Sequence, residues 1–261
     1  MKKRLIGGII VVALFTLFFI PGGYPFIIFM SLISVLAYKE IVFLKKYPSI
    51  VIILGLVSMI AVVVLNSVIA NYYLGFKYIS LLIPLILLTL PSLIPKYQKE
   101  YLLSDAFGLI GFILFVGLAI STLNVIVLTN KIVLLYLIVI VCFNDIFAYL
   151  IGKAIGKHKF SKISPNKTLE GTIAGNIFGI VAGTIFYLIF INNQINIIYL
   201  IVITLILSLS GQIGDLLFSK IKRENNIKDF SNIIPGHGGV LDRMDSLLFT
   251  SLVYLVIIIL F

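Results

Sequence analysis

Charge is the scarcest ingredient of this 261-residue chain: Asp, Glu, Lys and Arg make up 11% of it, against 61% hydrophobic residues. So little polar surface cannot cover a water-soluble globule. With a mean hydropathy of +1.20, the composition is that of an integral membrane protein. Cysteine is nearly absent as well. The single Cys142 excludes an intrachain disulfide and, lying within a hydrophobic run, reads as a small buried apolar residue. Short alternating segments, the mark of a membrane barrel, are missing, as are repeats of solenoid period and low-complexity tracts. In their place stand continuous apolar runs near the roughly 20 residues that an α-helical span requires.

The first run, "MKKRLIGGIIVVALFTLFFI", has the layout of a secretory signal, but no small-x-small cleavage site precedes "PGGYP". It is read as a retained span. Hydropathy then predicts an all-α, polytopic protein of about nine transmembrane helices. They fall at roughly 5–20, 24–44, 49–70, 77–95, 104–123, 131–151, 171–191, 196–214 and 244–261. Pro21-Gly22-Gly23, Pro48, Pro95 and Asn192-Asn193 punctuate them. With the N-terminus cytoplasmic, every basic residue except Lys77 and Lys131 lies on the inner side, and an odd number of spans puts the C-terminus outside. The expected location is the cell membrane. A net charge of +10 suits an anionic inner leaflet and negatively charged substrates. Nucleic acid is not an expected partner, because the basic residues are scattered over membrane-bound loops.

Gly171, Gly175, Gly179 and Gly183 recur every four residues in "GTIAGNIFGIVAG". Such a stripe lets another helix approach closely, within the chain or in a homodimer.

All ten acids fall in inner loops or the inner portions of spans, where a charged reaction chamber or merely short outer loops would put them. Two inner loops, 152–170 and 214–243, are longer than a turn requires. Asp145, well inside span six, needs a partner or water there. Asp215, at the inner end of span eight, faces a negative helix dipole and calls for a compensating cation. Asp242 and Asp245 are three residues apart and share a face if helical; capping of a helix start by Asp242 and dipole compensation by Asp245 would explain that pair alone. Carboxylates without a matching set of Cys or His suit Mg²⁺ or a similar hard ion shared with phosphate, with Asp215 and Asp242 as the foremost metal ligands.

Of only three arginines, Arg223 and Arg243 both lie in the second island, which fits a planar, bidentate task on phosphate or carboxylate, though inside-positive anchoring would also place them there. Gly236, Gly238 and Gly239 around His237 permit close approach of main-chain N–H groups to a ligand, or simply a flexible turn. His237 is a candidate for binding phosphate or for acid–base work. In the first island Ser164, Asn166, Lys167 and Thr168 are compact donors near a helix start, consistent with an anion site.

The run from Ser219 to Asp245, "SKIKRENNIKDFSNIIPGHGGVLDRMD", resembles the signature of the phosphatidate cytidylyltransferase family, the CDP-diacylglycerol synthases. "GQIGDLLFSKIKR" and "GKHKFSKISPNKTLEG" resemble the same family in the same order, so the likeness is detailed from about residue 144 to 250, and earlier residues match in hydropathy alone. One departure is "NDIFAY", where Ile146 and Phe147 follow Asp145 in place of a hydroxyl or small residues. The resemblance implies transfer of a cytidylyl group from CTP to phosphatidate, giving CDP-diacylglycerol and pyrophosphate, with Mg²⁺ or another divalent ion. It implies a catalytic region over 131–261 at the cytoplasmic face, behind a helical region over 1–130. It implies metal on Asp215 and Asp242, catalytic roles for Asp145, Lys167, Lys222, Arg223, His237, Arg243 and Asp245, and substrate contacts from Ser164, Asn166, Thr168, Lys228, Gly236, Gly238 and Gly239. A CTP-dependent kinase of a polyprenol or other lipid alcohol is the enzymatic alternative and would release CDP. A cation transporter would need ionisable groups near the midplane, and often repeated halves.

Overall fold

Lipid offers no partner to a bare backbone N–H or C=O, so apolar runs of this length fold as helices that satisfy their own hydrogen bonds. The computed structural model describes residues 2–69, 74–161, 163–234, 236 and 238–260. Its helices are α1 (Lys2–Phe19), α2 (Gly23–Val42), α3 (Ser49–Val64), α4 (Leu74–Leu93), α5 (Leu103–Ile155), α6 (Leu169–Phe190), α7 (Ile197–Glu224) and α8 (Leu241–Leu260), with a π-helical turn, Leu65–Ile69, continuing α3. Six of them, α2, α3 with its π turn, α5, α6, α7 and α8, are long and apolar enough to cross a membrane; α1 and α4 hold the shorter apolar stretches Gly7–Phe19 and Tyr78–Leu93. Among the described residues there is no strand, only two isolated bridges. This is an all-helical membrane protein.

At 53 residues α5 is far longer than one span, and it is broken at Asn130, whose backbone is extended at φ −152°, ψ 97°. The Asn130 side-chain oxygen accepts from Ile132 N at 3.1 Å, capping the second half. Cys142, expected to be buried, is exposed on that half. Hydropathy registers apolar character, and a face turned toward lipid needs that as much as a core does. The polar loops are shorter than the sequence suggests: α5 runs on to Ile155 and α7 to Glu224. Beyond its apolar part α7 is held by ordinary helix chemistry, with Lys222 and Arg223 in its last turn and Lys220 within 3.7 Å of Glu224.

The chain divides into two compact units, residues 1–128 with 230–241 and residues 129–229 with 242–261. In the first, α3 packs on both α2 and α4. Its core includes Phe26, Met30, Tyr38, Met59, Val62, Leu88 and Ile113. The Tyr38 ring lies over Gly55, where any side chain would overlap it. Buried polar groups pair across helices, Asn124 Nδ2 with Ser67 Oγ at 2.9 Å and Asn66 Nδ2 with Ser80 Oγ at 2.8 Å.

In the second unit the glycine stripe of α6 is filled from both sides. A Cβ at Gly175 would meet Asn144 O and Oδ1 at 2.6 Å; at Gly179, Ser208 Oγ at 3.0 Å and Ile140 O at 3.1 Å; at Gly183, Ile140 Cγ1 at 2.6 Å and Thr204 Cγ2 at 2.9 Å. Thus α6 lies against both the second half of α5 and α7. The stripe has an intrachain use and carries no argument for a homodimer.

Candidate active site

The loop before α6 is built by a few backbone bonds. Lys159 and Thr168 form a bridge, Phe160 N donates to Lys167 O at 2.9 Å, Leu169 N to His158 O at 2.9 Å, and Lys167 N to Ser164 O at 3.0 Å across the turn at Pro165. His158 Nδ1 lies 2.6 Å from Glu170 Oε1. Thr168 caps α6, its hydroxyl accepting from Gly171 N at 3.2 Å. Gly152 leaves room for that hydroxyl, since a Cβ there would come within 2.8 Å of it. The loop is thereby closed on itself. Lys167 is fixed just ahead of the helix, and its ammonium pairs with the carboxylate of Asp215 on α7.

Around this pair lies a cavity of about 300 Å³, lined in part by Asp145, Ser164, Asn166, Lys167, Thr168 and Asp215. That size is at the lower end of small-molecule sites. Tyr149 and Phe160 add aromatic walls. Lys167 is the compensating cation that Asp215 required, and its charge acts on Asp145 too. The charge of Asp215 acts on both Asp145 and Asp245, and Asp145 acts on Asp245. Close packing supports that proximity, for a Cβ on Gly214 would meet Asp245 O at 2.7 Å. Like charges that act on one another in this way repel unless cations stand among them. Among the described residues no group of three or more His, Cys, Asp or Glu side chains is arranged to hold a metal ion by itself. The donor set, all carboxylate oxygen, nonetheless has the chemistry of a hard divalent ion that takes one or two protein ligands and completes its shell from phosphate.

The cavity floor is an amide network that the sequence reading missed. Asn144 Nδ2 donates to Ser208 Oγ at 2.7 Å, Gln212 Nε2 to Asn144 Oδ1 at 2.8 Å, and Asn176 Nδ2 to Gln212 Oε1 at 3.1 Å. Asn144, Asn176, Ser208 and Gln212 are all buried. These cross-helix bonds fix the register of α5, α6 and α7 beneath Asp145 and Asp215. A signal was present, since uncharged amides inside apolar spans have few other uses.

Other expected residues stand elsewhere. Lys222 Nζ donates to Asp242 Oδ1 at 2.7 Å, and the side chains are only 11% and 3% exposed. Asp242 lies in the first turn of α8, after Leu241. It is thus a buried ion-pair partner, whereas the carboxylates on which the charge of Asp215 acts are Asp145 and Asp245. Arg223 Nη1 donates to Ile227 O at 3.0 Å, tying the end of α7 to the chain that follows. Lys228 and Arg243 are exposed. Lys222, Arg223, Lys228, Asp242, Arg243 and Asp245 do not line the 300 Å³ cavity. Gly236, Gly238 and Gly239 belong to the first unit, where Ile234 N donates to Gly238 O at 2.9 Å, and Gly236 and Gly238 take φ of 75° and 85°. Only glycine adopts such angles without strain. His237, like Lys162, lies outside the described residues. Glu40, counted from sequence only among the inner acids, is 2% exposed and bonded to this glycine loop.

Comparison with known proteins decides the family. The sequence model of the Cytidylyltransferase family matches residues 2–261. The chain belongs to that family. A phosphatidate cytidylyltransferase of Bacillus subtilis (strain 168) is 34% identical over 261 residues, covering 95% of this chain and 94% of that protein. Those of Staphylococcus haemolyticus and Staphylococcus aureus (strain COL) are each 33% identical, covering 95% of this chain and 95% of each relative. The likeness therefore takes in both units of this cytidylyltransferase, including the N-terminal helices in which the sequence motifs are silent.

Proposed function

We propose that the chain transfers the cytidylyl group of CTP to phosphatidate, giving CDP-diacylglycerol and pyrophosphate in membrane phospholipid biosynthesis. The observation that carries this reading is the Lys167–Asp215 pair beside Asp145 at a small cavity of mixed polar and aromatic lining, in a chain matched over 95% of its length by relatives named for that reaction.

An oxygen of the lipid phosphate attacks the α-phosphorus of CTP. A new P–O bond forms while the bond to the oxygen bridging the β-phosphate breaks, and pyrophosphate departs with the electron pair. The attacking monoester is already ionised near neutral pH, so neither a protein nucleophile nor a general base is required. Catalysis then consists of positioning and charge stabilisation. Lys167 neutralises a phosphoryl oxygen, and Ser164, Asn166 and Thr168 offer donors beside it. A divalent cation such as Mg²⁺, held by Asp215 with Asp145, would offset the repulsion between the two anionic substrates and orient the nucleotide phosphates, with Asp245 adding negative charge behind them. Asp242 is assigned to holding Lys222. Arg243, in the first turn of α8, is assigned to pyrophosphate or the lipid headgroup.

For topology we infer nine spans, α5 counting twice because it is broken at Asn130. The distribution of Lys and Arg supports a cytoplasmic N-terminus, an external C-terminus and a cavity at the cytoplasmic face. The test is incubation of the purified protein with CTP, phosphatidate and Mg²⁺. Pyrophosphate and CDP-diacylglycerol are expected in equal amounts; release of CDP with phosphorylation of a lipid alcohol would replace this reading by the kinase.

A further inference from the structure

Glu40 stands two residues before the end of α2 (Gly23–Val42), where the dipole of its own helix disfavours a carboxylate. It is also 2% exposed, where an unsatisfied charge is costly. Both penalties are offset by donors from a single distant loop. Ser231 Oγ donates to Oε1 at 2.6 Å, Val240 N to Oε1 at 2.7 Å and Leu241 N to Oε2 at 2.9 Å. Leu241 is the first residue of α8, so the Glu40 carboxylate satisfies one of the backbone N–H groups that a helix start leaves open. The fit is close, since a Cβ on Gly239 would come within 2.5 Å of Oε1 and 2.7 Å of Cδ.

One carboxylate thus ties both ends of the loop, Ser231 and Val240-Leu241, while between them Ile234 N donates to Gly238 O and Gly236 and Gly238 take positive φ. This loop is the centre of the glycine-rich segment, and the helix it enters carries Asp242, Arg243 and Asp245. Removing the carboxylate would strand a hydroxyl and two backbone N–H groups in a buried place, so the conformation of the loop depends on it. We propose that Glu40 is a positioning residue, whose carboxylate clasps residues 231–241 in the conformation that turnover requires without itself touching substrate. The activity part of this proposal rests on the cytidylyl-transfer reading; the clasp does not.

The test uses the full-length protein in detergent. Glu40→Gln keeps the volume and one acceptor oxygen but turns an NH₂ group toward a backbone N–H. Expected are amide exchange at least about tenfold faster in 231–241 with α6 and α7 unchanged, and a kcat lower by about 10- to 100-fold with KM for both substrates nearly constant. Ser231→Ala, which removes one donor of three, should shift both readouts less and in the same direction. Gly239→Ala, which drives a methyl against the carboxylate, should resemble Glu40→Gln. The proposal is overturned by unchanged loop exchange in Glu40→Gln, by a loosened loop with full kcat, or by uniform exchange and a kcat loss equal to the unfolded fraction. Should Glu40→Gln not fold, the other two variants decide, and absence of a loop-confined effect in both overturns the clasp. If the wild-type protein transfers no cytidylyl group, the functional reading falls and exchange alone decides the clasp.

Discussion

Lys167, fixed by the loop ahead of α6, and Asp215, midway along the polar half of α7, form an ion pair on the wall of one cavity. Both side chains are about a quarter exposed, at 26% and 24%, so the pair is open to an incoming ligand and contributes little to stability. Its worth is in chemistry. Asp215→Asn and Lys167→Met should each lower turnover by about 100-fold or more while the thermal midpoint hardly moves. The double variant should be little worse than either single one, because the two act as a unit. Transfer of label from CTP into lipid measures this, and full activity in either single variant removes the assignment.

Lys222 and Asp242 form the opposite kind of pair, buried and hydrogen-bonded at 2.7 Å. Breaking such a pair from one side costs about 3–5 kcal/mol, whereas replacing both partners by apolar groups of similar size is far milder. Lys222→Met should therefore destabilise the protein strongly, and Lys222→Met with Asp242→Leu should recover much of the loss. Thermal unfolding in detergent reads this directly. If Asp242→Asn left stability intact but abolished turnover, Asp242 would be a ligand in the reaction and not a structural partner.

Gly175 admits α6 to the carbonyl and side chain of Asn144, one residue from Asp145. Gly175→Ala should cost about 1–3 kcal/mol through overpacking. It should also lower activity, because Asn144 anchors the amide network under the cavity. Ile173→Ala, on an exposed face of the same helix, should do neither. Paired melting and activity measurements on the two variants separate these outcomes.

Chelation addresses the cation. Treatment with EDTA should stop turnover, and Mg²⁺ should restore it without a matching change in helical content by circular dichroism. Asp145→Asn should raise the Mg²⁺ concentration needed for half-maximal rate by about tenfold or more. Unaltered Mg²⁺ dependence would leave Asp215 without Asp145 as a co-ligand.

Much of the helical order was legible because hydropathy is a sum over neighbours in the chain. The break at Asn130 coincides with a gap between predicted spans, and Thr168 and Lys167 stand at a helix start as their types suggested. Helix ends were less legible. The polar turns of α7 as far as Glu224 look like loop to a hydropathy scale, yet their hydrogen bonds and charges sustain a helix outside lipid just as well.

The sequence by itself determined that the chain must live in a membrane as helices, since so few charges cannot face water and so many backbone groups cannot face lipid unpaired. It also marked the polar segments, because charge inside an apolar chain stands out residue by residue. Which charge meets which was decided only in three dimensions. Asp215 takes Lys167, Asp242 takes Lys222, and Glu40 takes a loop from the far end of the chain. Those choices depend on helix packing at ångström scale, which the glycines of α6 and Gly239 permit and which no linear pattern of residue types specifies.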